Sequence, residues 1–232
     1  MDTIVIPGIC GQIGSALAKK LNDDWMVIGF DLHHPDAECR IDALDADAVR
    51  SFLIRQRNVV AVVNCLGDSN TADSLSFASI LDVRKDDFVS MLNNNLVSAF
   101  IVMQEYIRVF GKAQGNIINI ASLYSTVSPN PKIYDGTIKH PGYVASKFGL
   151  VGLTKYMAVL AAEYNIKINC VSPGAVLGTK GVSDEFLKKY NSLVPMEDGV
   201  EIDDVYQVVD MLCKNKKITG QNIVIDGGYG LW

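Results

Sequence analysis

Six short stretches of the chain, Thr3–Ile6, Val27–Phe30, Val59–Val63, Asn116–Ile120, Ile166–Val171 and Asn222–Ile225, are largely apolar on consecutive residues. A strand with one face in water alternates polar and apolar side chains, whereas an unbroken apolar run suits a strand covered by helices on both faces. Segments of helical length separate the runs, so strand and helix alternate along the chain. This order predicts an α/β fold, a doubly wound parallel sheet with right-handed crossovers and helices on both faces. Long helices are predicted from Lys85 to Phe110 and from Tyr143 to Tyr164, the second with an apolar stripe of Leu150, Leu153, Met157 and Leu160. No repeat, low-complexity tract or linker interrupts the pattern, and residues 1–232 are expected to form a single domain. A chain of this length should bury roughly 70–75% of its unfolded surface.

The first run leads into Pro7-Gly8-Ile9-Cys10-Gly11-Gln12-Ile13-Gly14 and then a helix-like Ser15-Ala16-Leu17-Ala18. Glycines allow a backbone path that a Cβ would block, and the N–H groups that open a helix can receive a pyrophosphate at the positive end of the helix dipole. The spacing is not the common G-x-G-x-x-G, and a tight βα connection would use the same residues. The second run ends in Asp31, where a carboxylate would accept hydrogen bonds from both hydroxyls of an adenosine ribose. Its charge would repel a 2′-phosphate, and the neighbouring Leu32 supplies no compensating base, so the expected cofactor is NAD rather than NADP.

Tyr143-Val144-Ala145-Ser146-Lys147 places a phenol and an ammonium on one side of a helical turn. A free tyrosine titrates near ~10 and is a poor base at neutral pH unless a cation stabilises its phenolate. Lys147 is positioned to do so. A surface Tyr/Lys pair is the ordinary alternative when this spacing is found alone.

Several functions are disfavoured. The net charge is −5 and no dense basic stripe appears, which argues against nucleic acid as a partner. No uninterrupted apolar run approaches the ~20 residues of a membrane span, and the first strand begins at Thr3 without the features of a signal peptide, so a cytoplasmic protein is expected. Cys10, Cys39, Cys65, Cys170 and Cys213 have no C-x-x-C spacing, as expected of reduced thiols. His33-His34 with Asp31 and Asp36 reads as a polar loop rather than a metal cluster, and no metal is expected.

Together with other segments, these motifs make the chain resemble the short-chain dehydrogenase/reductase family along essentially its whole length. Asn64-Cys65-Leu66-Gly67 follows a strand where that family usually has Asn-Asn-Ala-Gly. Asn95, within Asn93-Asn94-Asn95-Leu96, matches its helix asparagine, and Asn119-Ile120-Ala121-Ser122 matches the segment bearing its catalytic serine. Ser172-Pro173-Gly174 and Asn222-Ile223-Val224-Ile225-Asp226-Gly227-Gly228 complete the ordered set. The departures are Pro7 in place of a threonine, Gln12 at a usual glycine position beside an extra Gly11, and Thr179 one residue beyond the usual threonine. Ser122-Leu123-Tyr124, followed by Pro129 and then Tyr134-Asp135-Gly136-Thr137, resembles the branch associated with bacterial surface-sugar and flagellin-glycan biosynthesis.

The resemblance implies a Rossmann-type domain acting on a small molecule and assembled as a homo-oligomer, a tetramer or a dimer. It implies that Tyr143 exchanges a proton with the substrate oxygen, Ser122 orients that oxygen, Lys147 holds the nicotinamide ribose, and Asn95 positions Lys147 through a water. Dinucleotide contacts would come from Gly8, Gln12, Ile13, Gly14, Asp31, Asp42, Asn64, Gly67, Tyr143, Lys147, Pro173, Gly174 and Val176. The polar segment Leu123–Gly142 leaves the sheet at Ser122 and returns at Tyr143, so it is expected to overhang the reacting centre and to bind a hydroxylated substrate through Tyr134, Asp135 and His140. Two other functions compete with an NAD-dependent dehydrogenase. A sugar epimerase or dehydratase would usually carry a further substrate domain, and a dinucleotide sensor would be expected to lose members of the Asn95/Ser122/Tyr143/Lys147 set.

Overall fold

The computed structural model describes residues 1–68, 77–111, 113–179 and 183–231. Among these, β1 (Thr3–Pro7), β2 (Met26–Phe30), β3 (Val59–Asn64), β4 (Gly115–Ile120), β5 (Ile166–Pro173) and β6 (Asn222–Ile225) form one parallel sheet in the order β2-β1-β3-β4-β5-β6. Each strand coincides with one of the apolar runs. β3 and β5 continue past the apolar residues into Asn64 and Ser172-Pro173, which extends polar groups to the carboxyl edge of the sheet. The strand order reverses between β1 and β3, and an open α/β sheet forms its ligand crevice at such a point.

Alternate residues of the strands serve two cores. Val5, Val62, Ile117 and Ile168 pack with α2 (Ala46–Ile54), α4 (Ser98–Phe110) and α5 (Pro141–Ala161) on one face. Ile4, Ile6, Ile118 and Ile120 pack with α1 (Gln12–Leu21) and α7 (Ile202–Lys214) on the other. Burial on both faces is the physical reason for the unbroken apolar runs.

The helix predicted over Lys85–Phe110 begins as α3 (Lys85–Leu92) and reaches α4 through a π turn at Asn93–Val97. A π turn accommodates more residues than an α turn of the same rise. Here it carries Asn95, which is fully buried. The second long helix starts at Pro141 and ends in a 3₁₀ turn at Ala162–Tyr164. Its expected apolar stripe needs correction: Leu150 and Met157 face the core, but Leu160 is 46% exposed. The inward row includes Ser146, Lys147, Thr154, Ala158 and Ala161, so apolarity alone does not identify the buried face. Phe148, Tyr156, Val159 and Leu160 remain outside.

Among the described residues, Pro141–Tyr164 is the one helical span long and apolar enough to cross a bilayer, with a mean hydropathy of 1.3. Here it packs against β5 and buries the Lys147 ammonium, the position of a core helix.

α2 and α4 are joined by Glu105, which is 1% exposed and accepts from Arg50 Nε at 2.7 Å, Arg50 Nη2 at 3.2 Å and Arg108 Nε at 3.1 Å. The Arg50 hydrogen bonds hold its carboxyl below the ordinary carboxylate value. A depressed carboxyl stabilises the fold above its unfolded value, near ~4.3, and that contribution disappears as pH falls through the folded value. Denaturant titration of Glu105→Ala should show a loss of about 2 kcal/mol at neutral pH, the scale of hydrogen bonds to a charged group, and a smaller loss in acid. Equal losses at both pH values would contradict the ionic account.

Candidate active site

β1 ends in a turn whose shape depends on two glycines. Gly8 has φ +79°, and a Cβ there would lie 2.8 Å from the Cys65 carbonyl. At Gly14 a Cβ would lie 2.1 Å from the Gly8 oxygen. The first turn of α1 therefore sits directly on the loop that precedes it. Gly8 N–H donates to Phe30 O at 2.8 Å and Cys65 N–H to Pro7 O at 2.9 Å, joining the ends of three strands. Gly11 stands at the N-cap without a side-chain cap, followed by Gln12, Ile13 and Gly14. This glycine cradle, with an uncapped helix start, fits a dinucleotide pyrophosphate.

Asp31 directly follows β2, and its carboxylate accepts from Cys10 N–H at 3.2 Å and His33 N–H at 2.9 Å. The acid is thereby fixed at the edge of the glycine turn, suitably placed for a ribose. Asp42 is exposed and caps its own turn by accepting from Leu44 N–H at 2.9 Å.

The ends of β3, β4 and β5 are connected by buried polar groups. Asn64 Nδ2 donates to Asn119 Oδ1 at 3.1 Å, Asn119 Nδ2 donates to Thr154 Oγ1 at 2.9 Å, and the Thr154 hydroxyl lies 3.1 Å from Cys170 Sγ. Asn64 Oδ1 also accepts from Leu66 N–H at 3.2 Å, shaping the path to Gly67. Pro173 closes β5, and Gly174 follows in contact with Tyr190 of α6 (Asp184–Asn191), where a Cβ would fall 2.3 Å from the phenol oxygen. Val176 is buried, and its carbonyl accepts from the Thr179 hydroxyl at 2.7 Å.

Asn95, Ser122, Tyr143 and Lys147 are brought together. Asn95 Oδ1 accepts from Asp68 N–H at 2.7 Å, while its Nδ2 donates to Asp68 O at 2.9 Å and Ser146 Oγ at 3.1 Å. Lys147 Nζ donates to Ile120 O at 3.0 Å. Gly67 brings the two into proximity, since a Cβ on it would lie 3.1 Å from Asn95 Oδ1 and 3.4 Å from Lys147 Nζ. The Ser122 hydroxyl accepts from Tyr124 N–H at 3.1 Å and also engages the Tyr143 phenol.

Burial sets the direction of both ionisations at this site. Burial raises the Tyr143 phenol above its ordinary value, the Ser122 hydrogen bond opposes that rise, and Asp68 adds to it. Burial likewise pushes the Lys147 ammonium down to about 8, with the Cys170 and Cys65 thiols opposing. A phenol raised above its ordinary value, near ~10, carries its proton at pH 7.

The segment Leu123–Gly142 follows a less direct course than expected. It contains 3₁₀ turns at Leu123–Ser125 and Pro131–Ile133, and Ile138 N–H donates to Phe77 O at 2.9 Å. Tyr134 donates its hydroxyl hydrogen to Tyr124 Oη at 2.6 Å and packs near Phe186 of α6. Two of the three residues expected to contact substrate also have partners within the chain. Asp135 forms an ion pair with Lys189, tying the loop to α6. His140 is 1% exposed, accepts from Gly142 N–H at 3.0 Å to cap α5, and packs edge-on against Phe77. Pro141 immediately after a capping side chain was a legible helix-start signal for that role.

Two neighbours of the reacting groups stand outside the three loop residues expected to bind substrate. Tyr124 contacts both Ser122 and Tyr134, and Lys139 Nζ lies 4.5 Å from the Tyr143 ring centroid. Both belong to an irregular loop, where spacing does not show which side chains point inward.

A family model described as enoyl-(acyl carrier protein) reductase matches residues 15–230. Carbonyl reductase family member 4 of Xenopus laevis is 30% identical over 230 residues, covering 94% of each chain. Post-translational flagellin modification protein A of Campylobacter coli is 24% identical over 252 residues, covering 98% of each. A solved short chain dehydrogenase from Leptospira borgpetersenii with bound NAD+ has a TM-score of 0.86 at 27% identity, over 99% of this chain and 92% of that one.

Proposed function

The chain belongs to the short-chain dehydrogenase/reductase family of nicotinamide-dependent oxidoreductases, and from that premise we propose that it acts with NAD on a polar, sugar-like alcohol or ketone, with Tyr143 as the acid/base. The observation that carries this reading is the convergence of Ser122, Tyr143, Lys147 and Asn95 beside the glycine turn at the carboxyl edge of the sheet. Bound NAD would supply the hydride acceptor or, once reduced, the donor.

The residues divide the remaining work. Gly8, Gln12, Ile13 and Gly14 would hold the pyrophosphate, and Asp31 the adenosine ribose. Asn64 would line the adenine side, Asp42 and Gly67 would add further dinucleotide contacts, and Pro173, Gly174 and Val176 would line the nicotinamide side. Ser122 would hold the substrate oxygen while Tyr143 gives it a proton in reduction or removes one in oxidation. Lys147 would hold the nicotinamide ribose and favour the tyrosinate when oxidation requires it. Asn95 fixes the Gly67–Asp68 backbone and Ser146, through which it would keep Lys147 in place.

A hydroxylated substrate is supported by the hydrogen-bonded phenols of Tyr124 and Tyr134 near the reacting groups. A loop that hydrogen-bonds substrate hydroxyls discriminates strongly, because an analogue without them leaves buried polar groups unpaired. Similarity to a protein named for post-translational flagellin modification accords with the surface-sugar branch. The outward row Phe148, Tyr156, Val159 and Leu160 supports assembly between copies. A cytoplasmic location belongs to the same proposal.

The test is a screen of alcohols, polyols, sugars and nucleotide sugars, following nicotinamide absorbance with NAD and NADP in parallel. Turnover of polar alcohols with NAD is expected, and activity confined to apolar substrates would overturn the substrate class. In direct titration NAD should bind at least about tenfold more tightly than NADP, a difference of ~1.4 kcal/mol. Asp31→Ala should narrow that ratio because it removes the charge facing a 2′-phosphate. Tighter NADP binding by the unmodified chain would overturn the cofactor assignment.

A further inference from the structure

Two ammonium groups approach one phenol ring. Lys147 Nζ lies 5.8 Å from the Tyr143 ring centroid and Lys139 Nζ lies 4.5 Å from it. Lys147 comes from the helix that carries Tyr143, whereas Lys139 comes from the preceding loop. Its backbone is held on both sides, by the Ile138–Phe77 hydrogen bond and by the His140 cap on α5. The side chain also borders a cavity of about 440 Å³ lined by Ser128, Tyr134, Ile138 and Val144. Lys139 is thus anchored close to the reacting phenol, on a segment separate from the Tyr143/Lys147 helical turn.

A cation over an aromatic face is attracted to the ring, and the attraction increases when ionisation gives the ring a full negative charge. We propose that Lys139 is a positioning residue for proton transfer, acting through the Tyr143 ring to favour its ionised form. This rests on Tyr143 being the acid/base. The proposal distinguishes Lys139 from Lys147, because Lys139 would have a purely electrostatic role and no part in holding the cofactor ribose.

The groups around the phenol act in both directions. Ser122, just beyond β4, favours its ionisation through their hydrogen bond, and Asp68, following β3, disfavours it. Lys147 lies on its own helix, while Lys139 and Tyr134 approach from the loop. Burial pushes the Lys139 ammonium down to about 8, with Asp68 opposing and Lys147 adding to the shift. Its charge therefore fades through mildly alkaline pH. An arginine at the same position would stay charged throughout.

This contrast gives a charge-ordered test. Tyrosinate absorbance is titrated with pH in the presence of saturating NAD+, and subtraction of the matching Tyr143→Phe protein isolates the Tyr143 signal. The midpoint should be lower in Lys139→Arg than in Lys139→Met, and that of the unmodified chain should lie no lower than the first and no higher than the second. The Arg-to-Met interval should be about one pH unit, tenfold in the ionisation equilibrium. If Lys139→Met fails to fold by circular dichroism, Lys139→Gln supplies the neutral member. Coincident midpoints, or an order that does not follow charge, would overturn the proposal. Retention of turnover by Tyr143→Phe would instead remove the premise, and the two failures are distinguishable.

Discussion

Tyr143→Phe is expected to lower turnover by about 10³-fold while leaving dinucleotide affinity within about twofold. The substitution removes the proton-transferring oxygen but keeps the ring, and positioned acid/base groups contribute roughly 10²–10⁴ to rate. The ring is 9% exposed and belongs to a cluster with Met91, Leu123 and Tyr190, so phenylalanine preserves its packing. The Ser122 hydroxyl loses one partner but continues to accept from Tyr124 N–H. A stopped-flow comparison under saturating substrate, with cofactor binding measured separately, tests both parts. Wild-type turnover in this variant would refute the acid/base assignment.

Gly14→Ala should have a comparable effect through a different cause, lowering dinucleotide affinity by about 100-fold or more and destabilising the chain by roughly 1–3 kcal/mol. Its Cβ would fall 2.1 Å from the Gly8 oxygen and 3.0 Å from the Gly8 carbonyl carbon. Both contacts are with backbone, so the glycine turn must open to relieve them. Gly152→Ala is the control, because its Cβ meets nothing within 4 Å. In α5 that substitution should be neutral or stabilising by up to about 1 kcal/mol. Calorimetric titration and thermal unfolding of the pair would separate loss of the cradle from a general sensitivity to added methyl groups. Unchanged dinucleotide binding by Gly14→Ala would contradict the assigned role of the turn.

The strands were legible because burial on both faces leaves a direct sequence trace, and the glycine turn because its close contacts exclude side chains. The tetrad was legible through motif resemblance, although only the structure shows that Asn95 reaches Asp68 and Ser146 directly. Leu123–Gly142 was the least legible segment. Its polar composition is compatible equally with contacting a ligand, capping a helix or pairing with another element. His140 caps and Asp135 pairs with Lys189, roles set by positions distant in sequence or by the exact start of α5. Leu160 was misassigned because α5 buries polar and small residues for the site and leaves apolar ones outside.

The π turn at Asn93–Val97 makes the site sensitive to the number of residues as well as to their identity. Asn95 reaches Asp68 and Ser146 from within that wider turn, and α4 continues beyond it against the sheet. Deleting one of the three consecutive asparagines would leave an asparagine available yet let the wider turn close to an ordinary α turn, carrying that asparagine away from the position that reaches Asp68 and Ser146. Substitution scanning alters identities at fixed length and is blind to this dependence. Single-residue insertions and deletions across the stretch would expose a spacing constraint that no side-chain replacement can reveal.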